Sequence, residues 1–195
     1  NMYIMDSRTE NRAEDPAKKA YIEGLKRYRD GDMKEACNYF TSAIAGGITD
    51  FDILYYRGMC HLDAGRYAEA LTDFEVLIRQ YPDNVEYLFR RGFIRYKTGD
   101  IPGAISDLTM VPPDHPDFSI RWHYLSVLYY KTGNYDAALE AIEKALSLFP
   151  TMPKVWFNAG IIMQAGGLSD RADLAISTAA RLEPKLANAK REILE

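Results

Sequence analysis

With 195 residues, 47% of them hydrophobic and 27% charged, the chain has the composition of an ordinary soluble protein, long enough to bury a core. A formal net charge of −4 excludes a general nucleic-acid binder, which needs a basic surface to displace phosphate counterions. Cys37 and Cys60 are too few for a disulfide framework and are expected as small buried hydrophobes, and no apolar run approaches the roughly 18 to 20 residues of a membrane helix.

Residues 1–16 read as an N-terminal extension, polar and charged apart from Met2, Tyr3, Ile4 and Met5. That apolar stretch is too short for the core of a signal peptide. Asp15 suits an N-cap, with Pro16 at the first helical position, where a missing N–H costs nothing. The sequence starts at Asn1 and ends in Leu194-Glu195, a pairing expected of vector-encoded residues, so a targeting signal or a further domain stays an open expectation. The expected compartment is the cytoplasm.

From Ala17 onward the chain repeats every 34 residues without a gap, in units 17–50, 51–84, 85–118, 119–152 and 153–186. The tail, 187–195, is expected to be a short capping helix. The shift aligns Gly31, Gly65, Gly99, Gly133 and Gly167, and likewise Ala36, Ala70, Ala104, Ala138 and Ala172. Each unit reads as two helices. The first carries apolar or small residues at i, i+4 and i+7, as in Trp122, Ser126 and Tyr129, and the second starts after the glycine turn, as in Ala138, Ile142 and Ala145. Small residues at Gly24, Gly58, Gly92 and Gly160 and in the alanine column predict two close helix axes. Phe40, Phe74, Leu108, Ile142 and Ile176 would fill the space beside that contact. Pro82, Pro116, Pro150 and Pro184 end the second helices, having no N–H to donate. In the third unit Pro112 and Pro113 stop the helix earlier, near Met110, and predict a stiff loop from Pro112 to Phe118.

These residues resemble tetratricopeptide repeats, which are 34 residues long with the pattern Trp-x2-Leu-Gly-x2-Tyr, Ala-x3-Phe, Pro. The resemblance covers 170 of the 195 residues, and the first unit departs from it with Ala20, Glu23 and Ile48. It implies an all-α fold: a right-handed α-solenoid of antiparallel helix pairs, five repeats plus a short C-terminal helix, acting as a non-enzymatic protein-interaction scaffold.

The residues show no phosphate loop, dinucleotide fingerprint, zinc-protease helix or serine elbow, so no enzyme, cofactor or metal site is expected. His61, His115 and His123 do not fall at ligand spacings, and Asp114-His115-Pro116-Asp117 reads as a turn. Arg57 and Arg91 stand where the fourth and fifth units have Leu125 and Ala159. Asp73 and Asp107, 16 residues further on, stand where those units have Ala141 and Ala175. Arginine and aspartate appear together and vanish together, which predicts an ion pair between the helices of one unit rather than ligand-binding arginines.

A second stripe on the first helices, turned by about one residue from the packing stripe, is the candidate binding surface. It presents Tyr21 and Tyr28, then Tyr55 and Met59, then Phe89, Phe93 and Tyr96, then His123 and Tyr130, then Phe157. First helices line the concave face in the family, so the resemblance implies a groove. Its middle slots, Leu25, Met59, Phe93, Val127 and Ile161, are apolar where the family often has Asn. Arg90, Lys97 and Lys131 add a basic patch, and Lys154 with Asn158 is similar to part of the carboxylate clamp of some co-chaperones in the family. The expected ligand is a protein or peptide, extended or helical, with an acidic group near the patch. Two other readings stand beside this one: a homo-oligomeric module whose groove takes Met2 to Met5 of another copy, and a regulatory domain of a longer enzyme.

Overall fold

The computed structural model describes residues 15–195, where ten α-helices and one short 3-10 helix are joined by turns and no strand occurs among the described residues. The remaining N-terminal residues, including Met2 to Met5, lie outside the described residues. The chain divides into two compact units, the first ending at Gln80 and the second running Tyr81–Glu195. The first holds α1 (Pro16–Arg29), α2 (Met33–Ala45), α3 (Phe51–Asp63) and α4 (Tyr67–Gln80). The second holds α5 (Val85–Thr98), α6 (Ile101–Met110), α7 (Arg121–Lys131), α8 (Tyr135–Leu148), α9 (Pro153–Ala165), α10 (Ser169–Leu182) and the 3-10 helix Pro184–Asn188.

Local chemistry sets the helix ends. The Asp15 carboxylate accepts the Ala17 N–H at 3.0 Å ahead of Pro16, and Asp32, Asn84, Asp100 and Asn134 cap α2, α5, α6 and α8 in the same way. Between the two helices of a repeat the chain reverses at a glycine in the left-handed region, as at Gly99 with φ +84°.

Consecutive helices pack as pairs, α1 with α2 and α3 with α4 in the first unit, α5 with α6, α7 with α8 and α9 with α10 in the second. The alanine column is buried throughout. A Cβ on Gly58 would come within 2.9 Å of the Phe74 ring, so the glycine is what lets the aromatic lie against the helix backbone. Ser126 takes that place in the fourth repeat, fully buried, its hydroxyl donating to the His123 carbonyl at 2.7 Å.

The arginine and aspartate pairs form as the spacing predicts. Arg57 donates to both oxygens of Asp73, Nε at 2.9 Å and Nη2 at 2.7 Å. Arg91 does the same to Asp107 at 2.8 Å on each side, and Arg95 adds a third bond at 2.9 Å. Both carboxylates are buried.

Helix α6 ends at Met110, and the loop after it is tied by a residue the sequence pattern did not single out. Arg121, 1% exposed, donates to the carbonyls of Pro112 at 2.6 Å, Pro113 at 3.1 Å and Phe118 at 3.2 Å. The tail corrects an expectation. In place of a capping helix over 187–195, the 3-10 helix ends at Asn188 and the chain runs on without regular structure. The reason is tertiary: the Leu194 N–H and C=O bond the Asn158 side chain, and Ile193 and Leu194 pack onto the apolar cluster around Phe157 and Ile161.

Candidate functional site

In the first unit, Tyr21, Tyr28, Tyr55 and Met59 are all partly buried on α1 and α3. Tyr21 meets Phe40 edge-on at 6.2 Å, Tyr28 meets Tyr56 at 5.1 Å and Tyr55 meets Phe74 at 6.3 Å. Each ring therefore anchors a repeat while keeping an edge toward solvent. Burial, with Asp52 and Asp50 adding to it, raises the Tyr21 hydroxyl above its ordinary pKa.

In the second unit the stripe divides into covered and open parts. Phe89 was expected on the open wall, but Phe118 of the proline loop stacks on it at 4.6 Å and leaves it 5% exposed. Arg90 donates to Glu86 at 3.1 Å and its guanidinium lies over the Phe89 and Phe118 rings, so it holds this lid of aromatics. Phe93 and Tyr96 converge instead on Tyr124, at 5.5 and 4.8 Å. The Lys97 ammonium stands 5.9 Å from Phe93 and 5.8 Å from Tyr96. Together with His123, Lys154 and their neighbours these residues line a cavity of about 390 Å³. Burial pushes the Tyr96 hydroxyl up to about 12, so it stays a neutral donor.

The other end of the face is already in contact with the tail. Asn158, fully buried on α9, accepts the Leu194 N–H at 2.7 Å, donates to the Leu194 carbonyl at 2.7 Å and approaches His123 Nε2 at 2.9 Å. Burial, with the Lys154 charge adding to it, pushes His123 down to about 4; its ring is neutral at pH 7 and Nε2 accepts from the Asn158 amide. Lys154 donates to the main-chain oxygen of Glu195 at 2.5 Å, and Lys131 pairs with the Glu195 carboxylate. Phe157 is fully buried, with Arg191 over its ring at 5.9 Å, and Tyr130 is partly buried beside Tyr135 at 5.9 Å.

The second unit thus gathers Phe93, Tyr96, Lys97 and His123 around one opening, while Tyr21, Tyr28, Tyr55 and Met59 belong to the first unit. Sequence reasoning missed Tyr124 and gave Asn158 too little weight. Both occupy one column of the 34-residue repeat, with Ile22, Tyr56 and Arg90, a further residue around the helix from the stripe. The described residues hold no group of three or more His, Cys, Asp or Glu suited to a metal, and no described helix is long and apolar enough to cross a membrane.

Residues 51–84 and 120–152 match the family model described as tetratricopeptide repeat. Among solved structures, a crystal structure of MamA protein aligns with a TM-score of 0.73 at 19% identity, over 93% of this chain and 99% of that one. MamA 41-end from Desulfovibrio magneticus RS-1 aligns with a TM-score of 0.76 at 22% identity, over 88% and 97%. At such identity the likeness is one of fold. Comparison with curated protein sequences found no match. Two repeats are matched directly and the others share their glycine and alanine columns: residues 51–84 and 120–152 are similar to tetratricopeptide repeats, and the chain has an all-α fold of helix pairs, a fold that supports a protein-interaction scaffold.

Proposed function

We propose that this protein is a non-enzymatic interaction module that binds a peptide segment of a partner protein on the second unit, on the face formed by α5, α7 and α9. The observation that carries the reading is the cavity beside Phe93, Tyr96 and Tyr124, where aromatic surface lies next to the ammonium groups of Lys97 and Lys154. Aromatic anchors give contact area at low entropic cost, and lysines at the rim favour a ligand with an acidic group. The contacts of Glu195, its side-chain carboxylate with Lys131 and its main-chain oxygen with Lys154, support an acidic group at that corner.

The test uses peptides selected on the intact protein from a random display library. Selected peptides are expected to be apolar with at least one acid, and Phe93→Ala should weaken them by roughly 2 kcal/mol. Phe93 is partly exposed, so the variant should keep its circular dichroism spectrum. A folded Phe93→Ala protein that binds those peptides as well as the parent would remove the assignment.

A further inference from the structure

We propose that the cavity beside α6, α7 and α8 is a second binding site, which takes one apolar group bearing a carboxylate, with Arg121 as the residue that meets the negative charge. It lies on the packing side of α7, around Trp122, Leu125 and Tyr129, and shares no residue with the peptide face. No residue after Lys144 lines it.

The cavity exists because one helix is short. Helices α4, α6 and α8 start at the same position of the repeat, at Tyr67, Ile101 and Tyr135, but α6 has 10 residues where α4 and α8 have 14. Pro112 and Pro113 cannot continue it. In the fourth repeat the last turn of the second helix brings Ala145 and Leu146 onto the cluster of Val155 and Ala159 on α9. The third repeat keeps Val111, the counterpart of Ala145, buried, and then replaces the turn with the proline loop. A space of about 280 Å³ is left, lined by Leu108, Val111, Leu125 and Ala141 together with Trp122 and Arg121.

Arg121 occupies the column that reads Ile53, Tyr87 and Val155 in other repeats, so a charge enters the interior at the one place where the covering turn is missing. Its three hydrogen bonds all end on main-chain carbonyls, and they use three of the five N–H groups of a guanidinium. Among the described residues no carboxylate pairs with it, whereas Arg57 has Asp73 and Arg91 has Asp107. Burial lowers its pKa, the mark of a cation held without compensation. Arg121 is also the first residue of α7, whose N-cap Ile120 has no side-chain bond to offer, so the positive end of the helix adds to the guanidinium instead of opposing it. A buried cation beside an open cavity is the arrangement that an entering carboxylate completes, through charge-assisted bonds in a site of low polarity.

The rest of the lining suits the apolar body of such a ligand. Trp122 is fixed between two cations, Lys144 at 4.1 Å and Arg121 at 5.0 Å from the ring centre. Glu140, the one acid on the lining, is exposed and pairs with Lys144 at 3.6 Å, so its charge is screened by water and by that ammonium. An apolar enclosure with one convergent charged group is the composition of a small-ligand site, and this one has room for a single branched or aromatic group and not for a run of peptide.

The experiment titrates the intact protein with 3-phenylpropionate and with the corresponding neutral amide, following the methyl signals of Leu125 and Ala141 by NMR. The acid should bind at least about tenfold more tightly than the amide. Ala137→Phe, which fills the cavity from its partly exposed edge and leaves Arg121 in place, should abolish binding of both. Arg121→Met should bring the acid down to the level of the amide; if a loosened loop costs that variant both ligands, the ratio measured on the intact protein still decides. Acetyl-Gly-Gly-Phe is titrated alongside: tighter binding than the free acid identifies the carboxylate as a peptide terminus, weaker binding as that of a small molecule. Equal binding of acid and amide by the intact protein, binding of neither, binding that survives Ala137→Phe, or an Arg121→Met protein that still prefers the acid would overturn the proposal. None of these outcomes touches the peptide face, which Phe93→Ala tests separately.

Discussion

Asp73 and Asp107 are the buried charges on which the repeat interior depends, and they differ in how many arginines hold them. Among the described residues Asp73 has Arg57 as its one arginine, and the His61 ring 3.9 Å away has its pKa lowered by burial, which disfavours its charged form. Arg57→Leu should therefore destabilise the protein by about 3 to 5 kcal/mol, as expected for a buried charge stripped of its partner. Adding Asp73→Ala reproduces Leu125 with Ala141 and should restore much of the loss; a double variant no more stable than the single one in urea would refute the pairing as the cause. Arg91→Leu should cost less, because Arg95 still bonds Asp107. His123 gives a pH dependence. The unfolded ring takes up its proton as pH falls through about 6.5, the folded one only near 4, so the unfolded state binds more protons between these values. Stability contributed by the neutral ring is complete above 6.5 and declines toward pH 4, on the order of 3 kcal/mol in all. Melting temperatures from pH 7 to 4.5 should fall, and His123→Gln should flatten that slope relative to the parent.

Where one helix lies on another, the contact between Gly58 and Phe74 sets the tolerance. Gly58→Ala places a methyl group 2.9 Å from a buried ring that cannot swing aside, and should cost about 1 to 3 kcal/mol by denaturant unfolding. The loop after α6 offers a different test. Arg121→Met removes the three bonds that tie Pro112, Pro113 and Phe118, so limited proteolysis within 112–118 should quicken while the helical signal stays. These elements were unequally legible. Gly58 opposite Phe74, and Arg57 opposite Asp73, were readable because each recurs at a fixed spacing and its partner lies within the same repeat. Arg121 was not, because it acts on backbone carbonyls, and its targets are set by a Phe118 held at φ +62°, a conformation no periodicity announces. The same reason hid the covering of Phe89: a helix period tells which side a ring faces and nothing about what a loop lays over it.

For the molecule as a whole, charge and binding pull in opposite directions. The net charge is −4, yet the candidate face carries Lys97, Lys131 and Lys154. An acidic peptide should be drawn by this local patch against the overall field, so its association rate should fall as salt rises and should drop further in Lys97→Glu. A stopped-flow rate that rises with salt would show that the net charge governs the encounter instead. The 34-residue period made the helix pairs readable, but neither the tail after Asn188 nor the pairing between Asn158 and Leu194, 36 residues apart and outside the repeat pattern. The enclosure of Arg121 has one further consequence. Dissolved ions cannot gather round its charge as they do round Lys97 and Lys154, so one chain should answer ionic strength in two ways. Raising salt should loosen an acidic peptide on the lysine face and leave 3-phenylpropionate held as before, which parallel titrations at low and high salt would read. Equal losses at the two sites would place the second carboxylate at the surface, on Lys144.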